Sequence, residues 1–422
     1  MVAPKIVMKR KNGFPIEKSY LHFNFRCLTW LGIWNPYEKG IKYWLYQIFW
    51  AYVVIVVMAL RLMNILVRGV NADNSAQFLQ EFALLAVETA DTIKYIAFLF
   101  HRDQVLELSD AFNWERHLPG TDEIRQYRNR VLTRSLRSSK TFTIIIIITL
   151  LQYFTFSFYS AFCEADYKVE KLPIGVPPMK YCFILKNFWF AFVCDYISFT
   201  QLGLIAVAHD AFIMAVMINV KAQLKILNFR MERCHLVVHE DPKDDEESDI
   251  IDFECDVKRN SKECMSNPNE ELIDCIKFHQ QIVRTLGIFK KIYNKALLPQ
   301  LTISLLLITV LLLQMILGRE GNSADAVVAV GFLIPVLLQL LTFCWGGNMI
   351  LVESDKSSNS LYMSHWYEGN RTFRNNVKIF IGAIRKPLIV SAGGLCDLSA
   401  VTFKNILSKA YSGVAVLQNM NE

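Results

Sequence analysis

No pair of cysteines in this chain reads CxxC, and no GxSxG, P-loop or HExxH pattern occurs. The residues therefore assemble no redox, hydrolytic or nucleotide-binding motif, and no enzyme is expected. A secretory signal is missing too. Lys5, Lys9, Arg10 and Lys11 make the N-terminus basic and polar, and the first long apolar run begins only near Ile41. Membrane insertion is then expected to use the first spanning helix itself. Charge of one sign is scarce. The 45 Lys and Arg against 39 Asp and Glu leave +6, spread over loops, with no motif for nucleic acid. Internal repeats, which a transporter would be expected to show, are absent. The ten cysteines are scattered. Cys234, Cys255, Cys264 and Cys275 share a polar segment with His235 and His239, but the spacing fits no zinc pattern, so neither metal nor cofactor is expected.

What is present in excess is apolar surface. Hydrophobic residues make up 53% of the 422, mean hydropathy is +0.26, and there are 29 Phe, 16 Tyr and 8 Trp. That is too apolar for an ordinary soluble enzyme of this size. The chain reads as an all-α, polytopic membrane protein with seven transmembrane helices. They fall near 41–66, 76–100, 141–164, 187–218, 294–318, 325–350 and 397–420, each close to the roughly 20 residues a bilayer needs. The fourth runs about thirty residues without a breaker and is expected to project into the cytosol. Basic residues crowd the N-terminal arm (Lys18 and Arg26 among them) and the loop after the second helix, from Arg116 to Lys140. The alternate loops are poorer. The bias puts the N-terminus in the cytosol and, with seven spans, the C-terminus outside.

Two cytosolic segments follow from the same topology. The first, 219–290, contains HEDPKDDEESD and reads as a flexible middle between helix extensions. The second, 353–388, carries Leu361, Trp366, Phe373, Val377, Phe380 and Ile384 at amphipathic spacing and is expected to pack on protein. It also holds the chain's one Asn-x-Ser/Thr sequon, Asn370-Arg371-Thr372, expected to be unglycosylated there. Cys163 and Cys182 both fall near the outer face, at a spacing compatible with a disulfide.

The last helix carries polar residues on one face. Asn405, Ser408, Ser412 and Asn419 recur at spacings of three, four and seven, and Val416 and Met420 extend that face. Such a stripe suits either a water-filled path closed by an apolar ring or hydrogen-bonded helix packing. Charges inside the spans need partners. Asp91 and Lys94 can pair at i,i+3, Glu88 and Asp195 have no local partner, and His209-Asp210 is expected near the cytosolic boundary in a solvated role. A small apolar ligand would need an aromatic-walled pocket. The outer halves of three helices offer Leu85 and Glu88, then Leu151, Phe154 and Phe158, then Trp189, Phe192, Tyr196, Phe199 and Thr200. For any one of these, ordinary packing is the commoner reading.

Near the C-terminus stand Tyr362, Ser364, Trp366 and Tyr367, then Arg385-Lys386-Pro387-Leu388, Ala392-Gly393-Gly394 and Leu398-Ser399. Phe403, Ile406-Leu407, Ala410-Tyr411-Ser412 and Val416-Leu417-Gln418 follow. This pattern resembles the insect odorant receptor family. The segment before the fifth helix is shorter than in that family's obligate co-receptor, so the chain resembles a ligand-tuning subunit. The resemblance implies a subunit of an odorant-gated, non-selective cation channel, assembled with the co-receptor as a heterotetramer around a central pore. It implies a plasma-membrane location in olfactory sensory neurons and a small volatile apolar or aromatic odorant as ligand. Residues 1–350 would form helices one to six with the pocket in the outer half, 351–388 the anchor, and 389–422 the pore helix. Pore and gate fall on Ser412, Val416, Asn419 and Met420, and the subunit anchor on Trp366, Tyr367, Phe373 and Phe380. Lys409, inside the pore helix, departs from what a cation path wants and is expected to face a neighbouring subunit or a wide vestibule. The alternatives are a homomeric gustatory-type channel and a seven-helix receptor signalling through G proteins; the latter needs an outside N-terminus, which the charge bias opposes.

Overall fold

The computed structural model describes residues 21–37, 40–71, 75–112, 122–164, 188–234, 268–320 and 323–419. Among them the chain is almost wholly helical. A short α1 (His22–Trp30) leads into α2 (Ile41–Tyr52), a π-helical stretch (Val53–Ala59) and α3 (Leu60–Val70). Then come α4 (Ser75–Phe100), α5 (Arg102–Ala111), α6 (Asp122–Glu164), α7 (Phe188–Arg233), α8 (Pro268–Glu320) and α9 (Ser323–Tyr362). A 3₁₀ turn (Trp366–Glu368), α10 (Arg371–Ile384), a two-stranded hairpin and α11 (Ala400–Asn419) complete the chain. Among the described residues, the apolar runs read from the sequence fall on helical stretches, except that the last run's start, Asp397, belongs to the hairpin and its helix begins at Ala400.

Several stretches outgrow the runs at one end. The segment 116–140, read as a loop, is helical from Asp122 onward, so Arg125 through Lys140 ride on the first turns of α6. Helix α7 continues to Arg233 and α8 begins at Pro268, 26 residues before the predicted start of that span. These polar turns form helix because they pack on one another. Arg230 pairs with Glu271 at 2.6 Å with both side chains buried, and Asn228 donates to the Glu353 backbone carbonyl at 3.0 Å. Tyr127 stacks on Phe229 with ring centres 3.7 Å apart. A buried pair of this kind specifies which helices meet more than it adds stability. The π-helical stretch VVIVVMA interrupts the first span where β-branched residues crowd the i+4 turn.

By length and composition, four helical stretches among the described residues are apolar enough to cross a bilayer: Ile41–Ala59, Tyr196–Arg233, Pro268–Ile316 and Ala329–Glu368. Helix α4 misses that standard because it carries Glu81, Glu88, Asp91 and Lys94, of which Glu81, Glu88 and Lys94 are buried and Asp91 is half-buried. Large apolar side chains stand outward along the spans, including Trp44, Ile48, Ile145, Leu306, Leu338 and Trp345. A surface so apolar belongs against lipid.

The amphipathic reading of 353–388 holds. Leu361, Phe373, Val377, Phe380 and Ile384 are each under 5% exposed. Asn370 caps α10, its Oδ1 accepting the Phe373 N–H at 2.8 Å. The hairpin pairs Ser391 with Asp397 and Ala392 with Cys396, and its turn places Gly393 and Gly394 at φ +63° and +71°. Those conformations disfavour any Cβ, and one on Gly393 would also strike Leu298 at 2.6 Å. The turn is fastened to α8: Gly393 N–H donates to the Asn294 backbone carbonyl at 2.8 Å, and Gly394 N–H to its Oδ1 at 3.1 Å. On the other side, Gly347 of α9 leaves room for the backbone of Leu398, and a Cβ there would overlap the Leu398 carbonyl oxygen.

Candidate functional site

Helix α11 packs on α8 and α9 through Ile406, Ala410 and Val414, which are 8%, 0% and 4% exposed. Gly413 lets it approach α8 closely, since a Cβ there would sit 3.3 Å from Thr309. At about 100° per residue the opposite face carries Asn405, Ser408, Ser412 and Val416, and all four are exposed. Ser412 Oγ returns its proton to the Ser408 carbonyl at 2.9 Å, which satisfies the hydroxyl locally and leaves its lone pairs outward. The Asn419 side chain and Met420 lie outside the described residues. Lys409 is exposed but lies on a flank of that stripe, roughly 60° from Ser412. Lys404 and Tyr411 occupy the other flank. The helix start is held firmly. Thr402 N–H donates to Ser399 Oγ at 3.2 Å, and Ala400 N–H to Asn348 Oδ1 at 3.4 Å.

The predicted pocket residues occupy α4, α6 and α7, and α6 packs along α7. Glu88 is buried, Leu85, Phe192, Tyr196, Phe199 and Thr200 are half-buried, and Leu151 and Trp189 stand exposed. Thr200 Oγ1 is a buried atom without a hydrogen-bond partner among the described residues. The Phe154 and Phe158 side chains lie outside the described residues, as do Cys182 and the side chains of Cys163 and Asp195.

Sequence reasoning misread His209-Asp210. Both are buried, at 1% and 7% exposure, in the centre of the bundle. Lys94, fully buried, holds Asp210 at 2.6 Å and Asp91 at 2.7 Å. Gln339 Nε2 donates to the other Asp210 oxygen at 2.6 Å, and Gln300 Nε2 donates to Gln339 Oε1 at 2.8 Å. One connected set of polar groups thus ties α4, α7, α8 and α9 together. The His209 ring packs edge-on to Tyr95 and Phe98. The pairing of Asp91 with Lys94 was visible at i,i+3, whereas Asp210, 116 residues away, was not.

Of the four anchor candidates, Phe373 and Phe380 turn inward and are 1% and 4% exposed, the Phe380 ring standing edge-on to His279. Trp366 is half-buried with Lys378 over its ring, and Tyr367 is exposed. The apolar side chains that do face outward here are Tyr362, Met363, Tyr367 and Ile379. Cys234 is buried beside Ser364, and burial pushes its thiol up to about 12, away from any thiolate role. Cys255, Cys264, His235 and His239 lie outside the described residues.

Comparison with known proteins bears on the whole arrangement. The fold is similar to that of the insect olfactory receptor OR5 from Machilis hrabei, solved in complex with eugenol. The match has a TM-score of 0.73 at 14% identity and covers 95% of this chain and 98% of that one. In sequence, the chain is 23% identical over 152 residues to odorant receptor 42b of Drosophila melanogaster, 36% of this chain and 38% of that receptor. It is 25% identical over 147 residues to the odorant receptor coreceptor of Aedes aegypti, 34% of this chain and 30% of that protein. These stretches span less than two-fifths of either relative. A family profile described as 7tm Odorant receptor matches residues 74–411. The chain belongs to the 7tm odorant receptor family.

Proposed function

We propose that this chain is the ligand-tuning subunit of an odorant-gated, non-selective cation channel, assembled with a co-receptor as a heterotetramer in the plasma membrane of olfactory sensory neurons. The exposed polar face of α11 carries this reading. A helix that packs by Ile406, Ala410 and Val414 and turns Asn405, Ser408 and Ser412 outward wants water on that side. A central path shared with three other subunits supplies it. Val416, Asn419 and Met420 would form the outer constriction, closing it by dewetting. Lys409, on the flank, would face the neighbouring subunit. The similarity to the coreceptor of Aedes aegypti supports the choice of partner. The same reading divides the chain into residues 1–350 with the odorant pocket, 351–388 as anchor and 389–422 as pore helix. The N-terminus would be cytosolic and the C-terminus outside.

The odorant would enter between α4, α6 and α7, among Leu85, Glu88, Leu151, Phe154, Phe158, Trp189, Phe192, Tyr196, Phe199 and Thr200. The Thr200 hydroxyl, without a partner among the described residues, supports this placement, since it adds a polar handle beside Glu88 to largely apolar walls. A small volatile apolar or aromatic molecule fits such walls. For the anchor, the outward Tyr362, Met363, Tyr367 and Ile379 supply the contact surface, with Trp366 at its edge and Phe373 and Phe380 holding it rigid from beneath.

Expression of the chain alone and with a co-receptor, under whole-cell recording and an odorant panel, tests the reading. Odorant-evoked cation current only from the pair is the expected result. Robust currents from the chain by itself would favour the homomeric gustatory-type alternative.

A further inference from the structure

A cleft of about 230 Å³ opens where the chain leading into α2 meets the junction of α4 and α5. Its walls are Ile33, Trp50, Phe98 and Leu99, and its polar rim is Trp34, Asn35, Gln47 and Arg102. Trp34 and Asn35 are 1% and 6% exposed, yet the indole Nε1–H and the Asn35 Nδ2 find no acceptor among the described residues. The orientation of that amide is fixed, because its Oδ1 accepts the Tyr37 N–H at 2.9 Å. Arg102 lies with its guanidinium 4.6 Å over the Trp34 ring and donates from Nη2 to the Asn35 carbonyl at 2.8 Å. No carboxylate pairs with it among the described residues, and its remaining N–H groups are unspent. Trp50 contributes only its ring, since its Nε1–H already donates to Tyr95 at 2.8 Å.

Buried donors without acceptors mark a place where an acceptor belongs. Here two buried donors, the Trp34 indole and the Asn35 amide, stand beside the solvent-exposed guanidinium of Arg102, and an anion is the acceptor that suits such a set. Guanidinium with neighbouring N–H groups is the donor set that matches phosphate. Helix α5 begins at Arg102, which adds the positive end of its dipole to the rim. Asp103 in that first turn is exposed and is not part of the lining. The level is also telling. Arg102 follows the end of α4 by two residues, and the adjacent face of α2 presents Ile41, Trp44 and Ile48 outward to lipid. A headgroup at that level can reach the donors while its chains stay along the aromatic wall.

We propose that this cleft binds the phosphate of an anionic phospholipid headgroup, drawn from the leaflet that meets the start of α2. That leaflet is the cytosolic one under the orientation proposed above, where anionic lipids concentrate. The donor set itself does not depend on the orientation.

The test uses the purified full-length chain, stripped of lipid in detergent, then offered phosphatidylserine, phosphatidylcholine of the same acyl chains, or inorganic phosphate. Lipid retention is read by native mass spectrometry and stability by thermal unfolding. The expected result is stronger retention of phosphatidylserine, with a larger rise in Tm, than of phosphatidylcholine, whose choline offsets its phosphate charge. Arg102→Gln is expected to weaken phosphatidylserine binding about tenfold, as loss of one charge-assisted contact does. Asn35→Asp keeps the bond from Tyr37 but sets a carboxylate against the headgroup, and is expected to abolish retention. Arg134→Gln, an exposed α6 residue away from the cleft, is expected to leave it unchanged. Should Arg102→Gln fail to fold, Asn35→Asp and the comparison of the two lipids decide. Equal retention of both lipids, unchanged retention in both cleft variants, or equal weakening by Arg134→Gln would overturn the proposal. So would equal stabilisation by inorganic phosphate, which would reassign the site to the free ion.

Discussion

At the scale of single residues, the most exacting position is Lys94. One fully buried ammonium satisfies two carboxylates, Asp91 at 2.7 Å and Asp210 at 2.6 Å. Removing it strands both acids, and a buried charge left without its partner costs on the order of 3–5 kcal/mol. Lys94→Met is therefore expected to abolish surface expression, measured by labelling of intact cells. Adding Asp210→Asn, which removes one stranded charge and keeps an acceptor for Gln339, is expected to restore part of it. No recovery in the double variant would mean that the set is not coupled through Lys94. The sequence disclosed half of this arrangement. Asp91 and Lys94 are visible as an i,i+3 pair, but Asp210 sits in a different helix, where position along the span suggested solvent. Distance along the chain carries no information about which helices meet, so tertiary partners of buried charges stay hidden until the packing is known.

At the scale of elements, α11 is the clearest case. Its two faces were legible in the spacing of Asn405, Ser408 and Ser412, and the structure sets that stripe directly opposite Ile406, Ala410 and Val414. What spacing could not separate was a water-lined face from a hydrogen-bonded one. Exposure of all three polar residues together with Val416 leaves that face unpacked by its own chain among the described residues, as the proposed pore requires. Replacing Val416 by Ser is expected to wet the proposed constriction and raise resting current, with odorant selectivity largely kept. Tyr196→Ala is expected to shift odorant potency with no resting leak. Recordings from both variants beside the co-receptor check the pair, and an exchange of the two phenotypes would reverse the assignment of gate and pocket. The anchor segment teaches the complementary lesson. Amphipathic spacing correctly found the buried face of α10; Phe373 and Phe380 pack within their own chain, so under the proposed assembly they would support the anchor surface from beneath.

At the scale of the whole molecule, the long helical stretches were readable because lipid-facing turns must be apolar. Their polar extensions were not, because polar turns carry no such signature until Arg230 meets Glu271 and Asn228 meets Glu353. Orientation is open to a direct check. Asn370 caps α10 with its own side chain, and the proposed topology keeps it in the cytosol. No glycosidase-sensitive mass shift is expected from the wild-type chain. A shift that disappears in Asn370→Gln would invert the flanking helices.

The Gly393-Gly394 turn has a mechanical corollary. With its backbone bonded to Asn294 and its far side seated against Gly347, the foot of α11 is pinned between two other helices, while its polar side is exposed among the described residues. A rod clamped at one end and unsupported along one flank behaves as a cantilever. Sliding it lengthwise would break the clamp, whereas a small tilt about the foot grows with distance and is greatest at the tip. The widest excursion in such a geometry falls on the last turns of the helix, and a slight rearrangement between α8 and α9 suffices to drive it.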